Sequence, residues 1–351
     1  MNEKSTHKDN NEVRCSLCKS QARLVFTQCE GYIKGSFFDI FSCDSCNTQW
    51  AVPMDIDTPV YEWIYKNIAY VPGYSRYFDY QKVCDKMERP LSYLSQCEQS
   101  YWAVHKALRL VAKNTKRSSV RIIDVGCGLG YLTYAIKQEG FNVVGIDTSA
   151  KAVDAASFRY DACYECVSAA DYAKKHPASF DLVILSQVIE HLCNPMEILI
   201  DAMRLTKKGG YVLVCVPNKG AFPLQSIWQT ELPPVHLWWF SRRSIENLAA
   251  HINAEVHSLD TAAIGNPYMI QLTSSEGLTR PRNAPFFSTN GELLINAEKD
   301  TNNMRMHDRF SKLGIRNIAL TLRKLTRALS SQIYFSEDTE QICVLLRNGC
   351  R

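Results

Sequence analysis

What the sequence lacks narrows the field first. No apolar run is long enough to cross a bilayer; the longest, such as Leu182–Leu185, are strand-sized. Residues 1–14, MNEKSTHKDNNEVR, hold no apolar stretch of the signal-peptide kind, so they read as a polar, disordered tail and not a secretion signal. Internal repeats and low-complexity tracts are missing, which sets aside solenoid and fibrous architectures. Charge of one sign is scarce too. With 40 Lys and Arg against 36 Asp and Glu the net charge is +4, too mild to argue for a nucleic-acid partner.

Cysteine is not scarce: there are 14. Without a secretion signal, and with most of them standing singly in apolar segments, they fit reduced, buried thiols in a cytoplasmic protein. Four stand as pairs. Cys15-x-x-Cys18 and Cys43-x-x-Cys46 are separated by 24 residues, and two such knuckles can wrap four thiolates tetrahedrally around Zn²⁺. All four positions would be protein ligands, so this zinc would be structural and would fold a segment with little core of its own. The alternative is four coincidentally buried cysteines. Cys163-x-x-Cys166 has no second pair nearby and reads as packing at a sheet edge.

Composition divides the chain into a tail (1–14), a ribbon (15–54), a helical, aromatic-rich linker or lid (55–118) and a larger domain (119–351). In the last, VRIIDVG, NVVGID, FDLVILS and YVLVCVP are apolar strands alternating with helical patterns, and EQICVLLR is a final apolar strand. Strand–helix alternation predicts a mostly parallel sheet covered by helices on both faces.

The stretch RIIDVGCGLGYL runs a strand into Gly126, Gly128 and Gly130. A glycine turn between strand and helix brings backbone N–H groups close to a ligand at the strand's carboxyl end. A dinucleotide site normally shows G-x-G-x-x-G, whereas here the third glycine comes one residue early. Asp124 also stands just ahead of the turn, where a pyrophosphate would meet an anion. A cationic ligand suits that carboxylate better, and S-adenosylmethionine (SAM) carries a sulfonium and an ammonium and no phosphate. Asp147, at the end of the next strand, can accept both hydroxyls of a ribose.

Together these residues resemble the class I SAM-dependent methyltransferases over roughly 120–250. IIDVGCGLG is similar to that family's first motif, and Asp147 matches its ribose-binding acid. CVSAADY lies where the adenine is placed, with Ala169 and Ala170 at the contact positions. FDLVILSQVIEHLCNP, with Ser186, is similar to the fourth strand and its loop, and LTKKGGYVLVCVPN to the fifth. IEHLCNP and PPVHLWWFSRRSIENLA resemble the branch that holds the ubiquinone-pathway O-methyltransferases and methyltransferases of glycans and secondary metabolites, where an N-terminal zinc ribbon is common. The resemblance implies a Rossmann-like α/β fold with a seven-stranded, mostly parallel sheet, an N-terminal four-cysteine zinc ribbon and a helical, aromatic lid. It implies methyl transfer to a small-molecule or glycan acceptor, O-methylation favoured, by in-line displacement.

Glu190, His191 and the distant His236 form the candidate catalytic set. They could hold a second divalent metal or act as base on an acceptor hydroxyl, for which a histidine titrating near 7 is suited. Some relatives bind a metal through Glu-x-x-Glu-His; here Gln187 stands where the first glutamate would. The bland reading is that Glu190 and His191 only orient the loop beside the cofactor. Aromatics of YEWIYKNIAYVPGYSRYFDY (61–80) and Trp238–Trp239 could wall the acceptor pocket or cement domain contacts. A helix over 314–331 would put Ile315, Ile318, Leu322, Leu325 and Leu329 on one face, with Arg316, Arg323, Lys324 and Arg327 elsewhere. It packs on the protein's own core or meets an anionic membrane.

Two readings compete. A nucleic-acid methyltransferase gripping its substrate through the ribbon is disfavoured, because Lys19, Arg23 and Lys34 are offset by Glu30, Asp39 and Asp44, and VPNKG replaces an NPPY-type motif. A non-catalytic scaffold would have no need of Asp124, the three glycines and Asp147.

Overall fold

The computed structural model describes residues 13–54, 59–222, 224, 227, 229–261, 285–294 and 339–349. The helix expected at 314–331 lies outside these residues, as does most of the tail.

The N-terminal segment forms strands β1 (Ala22–Glu30), β2 (Phe37–Cys43) and β3 (Gln49–Val52). Helices α1 (Val60–Lys66), α2 (Ser75–Cys84), α3 (Pro90–Cys97) and α4 (Gln99–Val111) follow. The βα alternation then reads β4 (Arg121–Val125), α5 (Tyr131–Gln138), β5 (Asn142–Asp147), α6 (Ala150–Arg159), β6 (Cys163–Cys166), α7 (Ala169–Lys175), β7 (Phe180–Ser186), α8 (Pro195–Leu205) and β8 (Thr206–Pro217). The chain closes through β9 (Trp238–Trp239), α9 (Arg242–His251), β10 (Glu255–Ser258) and β11 (Gln341–Arg347). No helix among the described residues is long and apolar enough to cross a membrane.

The caps explain where the helices start. Ser149, Ser168 and Asn194 accept hydrogen bonds from Ala152, Asp171 and Met196 backbone N–H groups, and Pro195 occupies the first turn of α8. Ser241 and Ser244 bond each other's backbone in a reciprocal capping box at α9.

Seven strands make the main sheet in the order β10-β11-β8-β7-β4-β5-β6. The pairs among β6, β5, β4, β7 and β8 are parallel, and β11 runs antiparallel between β8 and β10. This is the expected seven-stranded, mostly parallel Rossmann-like sheet. Its reversal of order at β4/β7 is the switch point at which such sheets bind ligands. Periodicity could name EQICVLLR as a strand but not its direction or its slot, because pairing is decided between strands and not along one.

Central strands are buried on both faces, so their residues alternate between two cores. Ile123, Val125, Val183 and Leu185 join one core; Ile122, Leu182 and Ile184 join the other. The first core also contains Cys15, Cys43, Cys46, Trp50 and Trp238. The N-terminal sheet has the order β1-β2-β3-β9, so its fourth strand comes from far down the chain. Gln49 pairs with Trp239 and Trp50 with Trp238.

Candidate functional site

The glycine turn sits at the carboxyl end of β4, next to β5 and β7. Gly126, Gly128 and Gly130 have φ of +73°, +50° and +75°, the left-handed region where a side chain is strained. Space is short as well. A Cβ on Gly126 would lie 2.8 Å from Val188 Cγ2, and one on Gly130 would lie 2.5 Å from Ala156 Cβ. The turn is held open by Asp147, whose two carboxylate oxygens each accept one backbone N–H, from Gly128 and Ser149, both at 2.9 Å. Each oxygen keeps a further lone pair. The adenine-loop segment is tied to the same strand end, since Val167 N–H donates to the Asp147 carbonyl at 3.0 Å. Ala169 is buried and Ala170 exposed in the first turn of α7.

Asp124 lies beneath the turn, 3% exposed, and accepts from Thr133 Oγ1 at 2.7 Å. Burial pushes its carboxyl up to about 6. Above the turn lies α1: Tyr65 Oη is 3.2 Å from the place a Gly128 Cβ would take. Lys151 of α6 reaches Glu62 of the same helix at 2.6 Å.

The second half of the site follows β7. Ser186 ends that strand half-buried, and Gln187 has φ +57°, an uncommon conformation for a residue with a side chain. Its carboxamide nitrogen donates to the Cys215 carbonyl at 3.2 Å. A single 3₁₀ turn, Ile189–His191, then presents Glu190 and His191. The structure brings His236 to them: ligand atoms of Glu190, His191 and His236 all lie within 4.8 Å of one another. The imidazole rings are perpendicular at 4.6 Å.

Electrostatics here is dominated by desolvation. Glu190 is fully buried, neither carboxylate oxygen has a hydrogen-bond partner, and its carboxyl is pushed up to about 8. His191 is lowered to about 4 and His236 well below its ordinary value, both by burial first. Both imidazoles are therefore neutral near pH 7, the form in which histidine binds a metal or accepts a proton. His191 Nδ1 sits 2.7 Å from the Val235 carbonyl, which can only accept, so the proton is on Nδ1 and Nε2 is bare. A buried, unpartnered carboxyl group beside two neutral imidazoles is a donor set that fits a divalent cation, whose charge would favour the carboxylate, or an acceptor with hydrogen-bonding groups of its own.

Four cysteine sulfurs form a second cluster, all within 4.8 Å of one another. The Cys15–Cys46 and Cys18–Cys43 separations are 3.7 and 3.3 Å. A tetrahedral site with Zn–S near 2.3 Å has sulfur edges of about 3.8 Å, so the set could hold zinc. The two knuckles are built alike. Lys19 and Asn47, next after each second cysteine, have φ of +60° and +56°. Their N–H groups bond back to the Cys15 and Cys43 carbonyls at 2.9 and 3.1 Å. Ser45 and Cys46 N–H groups point at Cys43 Sγ, both at 3.4 Å. Cys163 and Cys166 lie on β6, the edge strand of the main sheet, and both are exposed.

Trp238 and Trp239 join the N-terminal sheet, and the Trp238 ring is taken up in packing. Both are used on strand pairing with β3, and Trp238 stacks on Phe240 at 6.1 Å while its indole N–H donates to the Leu192 carbonyl at 2.9 Å. They cement the N-terminal sheet to the main domain. Tyr61 does face the site, with its ring edge-on to His191 at 5.9 Å and its hydroxyl donating to the Val235 carbonyl at 3.0 Å.

Sequence reasoning missed Tyr65 over the glycine turn, and Glu231, Lys219 and Arg76 beside the histidines. Burial raises Glu231 to about 8 against the pull of Arg76 and Lys219, and lowers Lys219 to about 8. No motif marks these positions. The signal available was a glutamate five residues before His236.

Residues 96–259 match the family model of a methyltransferase domain. Among curated relatives, the ubiquinone biosynthesis O-methyltransferase of Thiobacillus denitrificans is 38% identical over 119 residues, covering 32% of this chain and 51% of that protein. Its counterpart from Paracidovorax citrulli is 36% identical over 107 residues, covering 29% and 45%. The chain thus spans about half the length of the curated relatives it matches. Among solved structures, a SAM-dependent methyltransferase from Archaeoglobus fulgidus is 17% identical with a TM-score of 0.38, covering 70% of this chain and 94% of that one.

Proposed function

We propose that this chain, whose residues 96–259 form a methyltransferase domain, is a SAM-dependent methyltransferase acting on a hydroxyl of a small-molecule or glycan acceptor. The observation that carries the reading is the arrangement at the switch point. The left-handed glycine turn and the Asp147 carboxylate lie after adjacent strands, and the turn after β7 presents the unpartnered Glu190 with two neutral histidines.

SAM supplies an already activated methyl group, so the protein's task is binding, alignment and exclusion of water. Gly126, Gly128 and Gly130 give the cofactor its close approach, Asp147 offers the ribose two free lone pairs, and Ala169 and Ala170 border the adenine. Asp124 lends negative charge beneath the turn, and Ser186 closes the β7 side. Helix α1, with Tyr65, shields the turn from solvent. At the acceptor, His191 through its bare Nε2 and His236 are the groups suited to take the hydroxyl proton. Glu190 is placed to hydrogen-bond the acceptor; with the two histidines it would also hold a divalent cation, which would supply Lewis acidity at the hydroxyl. Cys15, Cys18, Cys43 and Cys46 hold a structural zinc, and the exposed Cys163, Cys166 and Cys193 thiols suit a reducing, cytoplasmic setting.

Native mass spectrometry of the purified protein tests the whole reading in one spectrum. It should show one zinc per chain together with bound SAM or S-adenosylhomocysteine (SAH). Zinc with no cofactor, even after SAM is added, would transfer the weight to the scaffold reading.

A further inference from the structure

Glu231 and His236 each carry a buried polar atom that no hydrogen bond satisfies. Glu231 Oε2 and His236 Nδ1 both lack a partner, and they lie 3.9 Å apart. His236 is 7% exposed and the Glu231 side chain 17%, so bulk water does not make up the loss. The gap is too short for a bridging water, which needs about 4.5 Å or more, and about 1 Å too long for a hydrogen bond. Closing on each other satisfies both atoms at once. Gaps of this kind in ligand-free sites close when the site is filled.

The backbone around the pair is pinned, so the closure falls to side-chain rotation. Tyr32 Oη donates to the Thr230 carbonyl at 2.8 Å, which fixes the turn that carries Glu231. His236 N–H donates to the Leu232 carbonyl at 3.2 Å and Leu237 N–H to the Glu190 carbonyl at 2.9 Å, which fix the histidine's segment. Arg76 from α2 and Lys219 from the end of β8 face Glu231 and pull toward its ionised form, but burial outweighs them and holds the carboxyl up to about 8, so the carboxylate is the main form only above that pH. Glu190 and the Tyr32 ring face it as well.

We propose that Glu231 is the positioning residue for His236: once ionised, its carboxylate accepts the Nδ1–H and keeps Nε2 bare. The Val235 carbonyl does the same for His191. The site then presents two imidazoles with the same tautomer, one set by a main-chain oxygen and one by a side chain. A carboxylate or carbonyl behind a working histidine fixes both its tautomer and its ring orientation. What the bare Nε2 then does rests on the methyl-transfer reading; the pairing itself does not.

The test is long-range ¹H–¹⁵N correlation on protein labelled with ¹⁵N-histidine, with the His236 signals identified by their loss in His236→Gln. At pH 9, above the value to which burial holds Glu231, the wild type should show His236 protonated at Nδ1 and bare at Nε2. Glu231→Met, similar in size but with no acceptor, should move the proton to Nε2, whereas Glu231→Gln, which keeps an oxygen, should retain it at Nδ1. Wild-type His236 protonated at Nε2 would overturn the proposal, as would Glu231→Met with the proton still on Nδ1. Should Glu231→Met fail to fold, the wild-type spectrum alone decides. SAH binding to the same wild-type sample, followed by calorimetry, is the separate readout. Absence of SAH binding removes the methyl-transfer reading and leaves the dyad to stand or fall on its tautomer.

Discussion

Asp147 uses one lone pair on each of its oxygens to hold Gly128 and Ser149 in place, and the remaining pairs are what a ribose would find. Asp147→Ala should therefore weaken SAH binding at least tenfold, about 1.4 kcal/mol, in a calorimetric titration; equal affinities would remove Asp147 from the site. Asp124 makes a prediction of a different kind. It titrates near 6 when folded against 3.8 for the free group, so between those values the folded state binds more protons than the unfolded. The Asp124 contribution to stability should then fall by on the order of 2–3 kcal/mol as pH rises from about 4 to 6 and level off above, while Glu190 and Glu231, both held up to about 8, continue the decline toward that pH. Asp124→Asn should flatten that slope, and urea unfolding at pH 4, 5, 6 and 7 checks it; parallel curves would sink the assignment. Both aspartates were legible in the sequence because a strand, a glycine turn and the acid of the next strand form a local pattern. Glu231 and Arg76 were not, because what makes them part of the site is contact with segments that no spacing rule connects.

At the scale of elements, the helix of most consequence is α1, which lies outside the matched domain and covers its glycine turn. Its short apolar–aromatic run, VYEWIYK, packs Val60 and Ile64 into the core and leaves Tyr65 over Gly128. Trp63 packs against Gly291, where a Cβ would come within 2.4 Å of the indole, so a third segment backs the helix. The exposed Lys151–Glu62 pair adds little to its hold, since solvent-exposed ion pairs are worth about 0–1 kcal/mol. Tyr65→Ala should accordingly speed SAH release about tenfold in stopped flow while Glu62→Gln changes it less than twofold. Equal release rates for wild type and Tyr65→Ala would show that α1 is not part of the cofactor's enclosure. The aromatic wealth of 61–80 announced a lid or a packed interface, but which ring would face the turn was not readable. A seven-residue helix has no long period to reveal its inner face, and its neighbours arrive from residues 128 and 291.

Across the whole molecule, the four-cysteine ribbon is joined to the candidate site by three kinds of contact. Trp238 and Trp239 complete its sheet, Ser241 Oγ donates to the Cys46 carbonyl at 2.5 Å, and Arg243 donates to the Ser45 carbonyl at 2.7 Å. Two residues before β9 comes His236, and Leu237 N–H is bonded to the Glu190 carbonyl. Ribbon side chains and central-sheet side chains also share one apolar core, in which Trp50 and Val183 both lie. A metal that folds the ribbon would thus stabilise everything packed on that core, because binding to the native state alone adds to the stability of the whole cooperative unit. Chelation, or the Cys43→Ser/Cys46→Ser double variant, should move a single calorimetric transition down as one peak, not split off a small early one. The same treatment should leave SAH affinity nearly unchanged below the lowered transition, since the glycine turn and Asp147 follow β4 and β5 of the main sheet, whereas β9 belongs to the N-terminal one. The Cys163→Ser/Cys166→Ser variant should keep its zinc and its transition, both thiols being exposed on an edge strand. Two separate transitions in the native protein would mean that the ribbon folds on its own, and the route from the four sulfurs to His236 would then carry no stability.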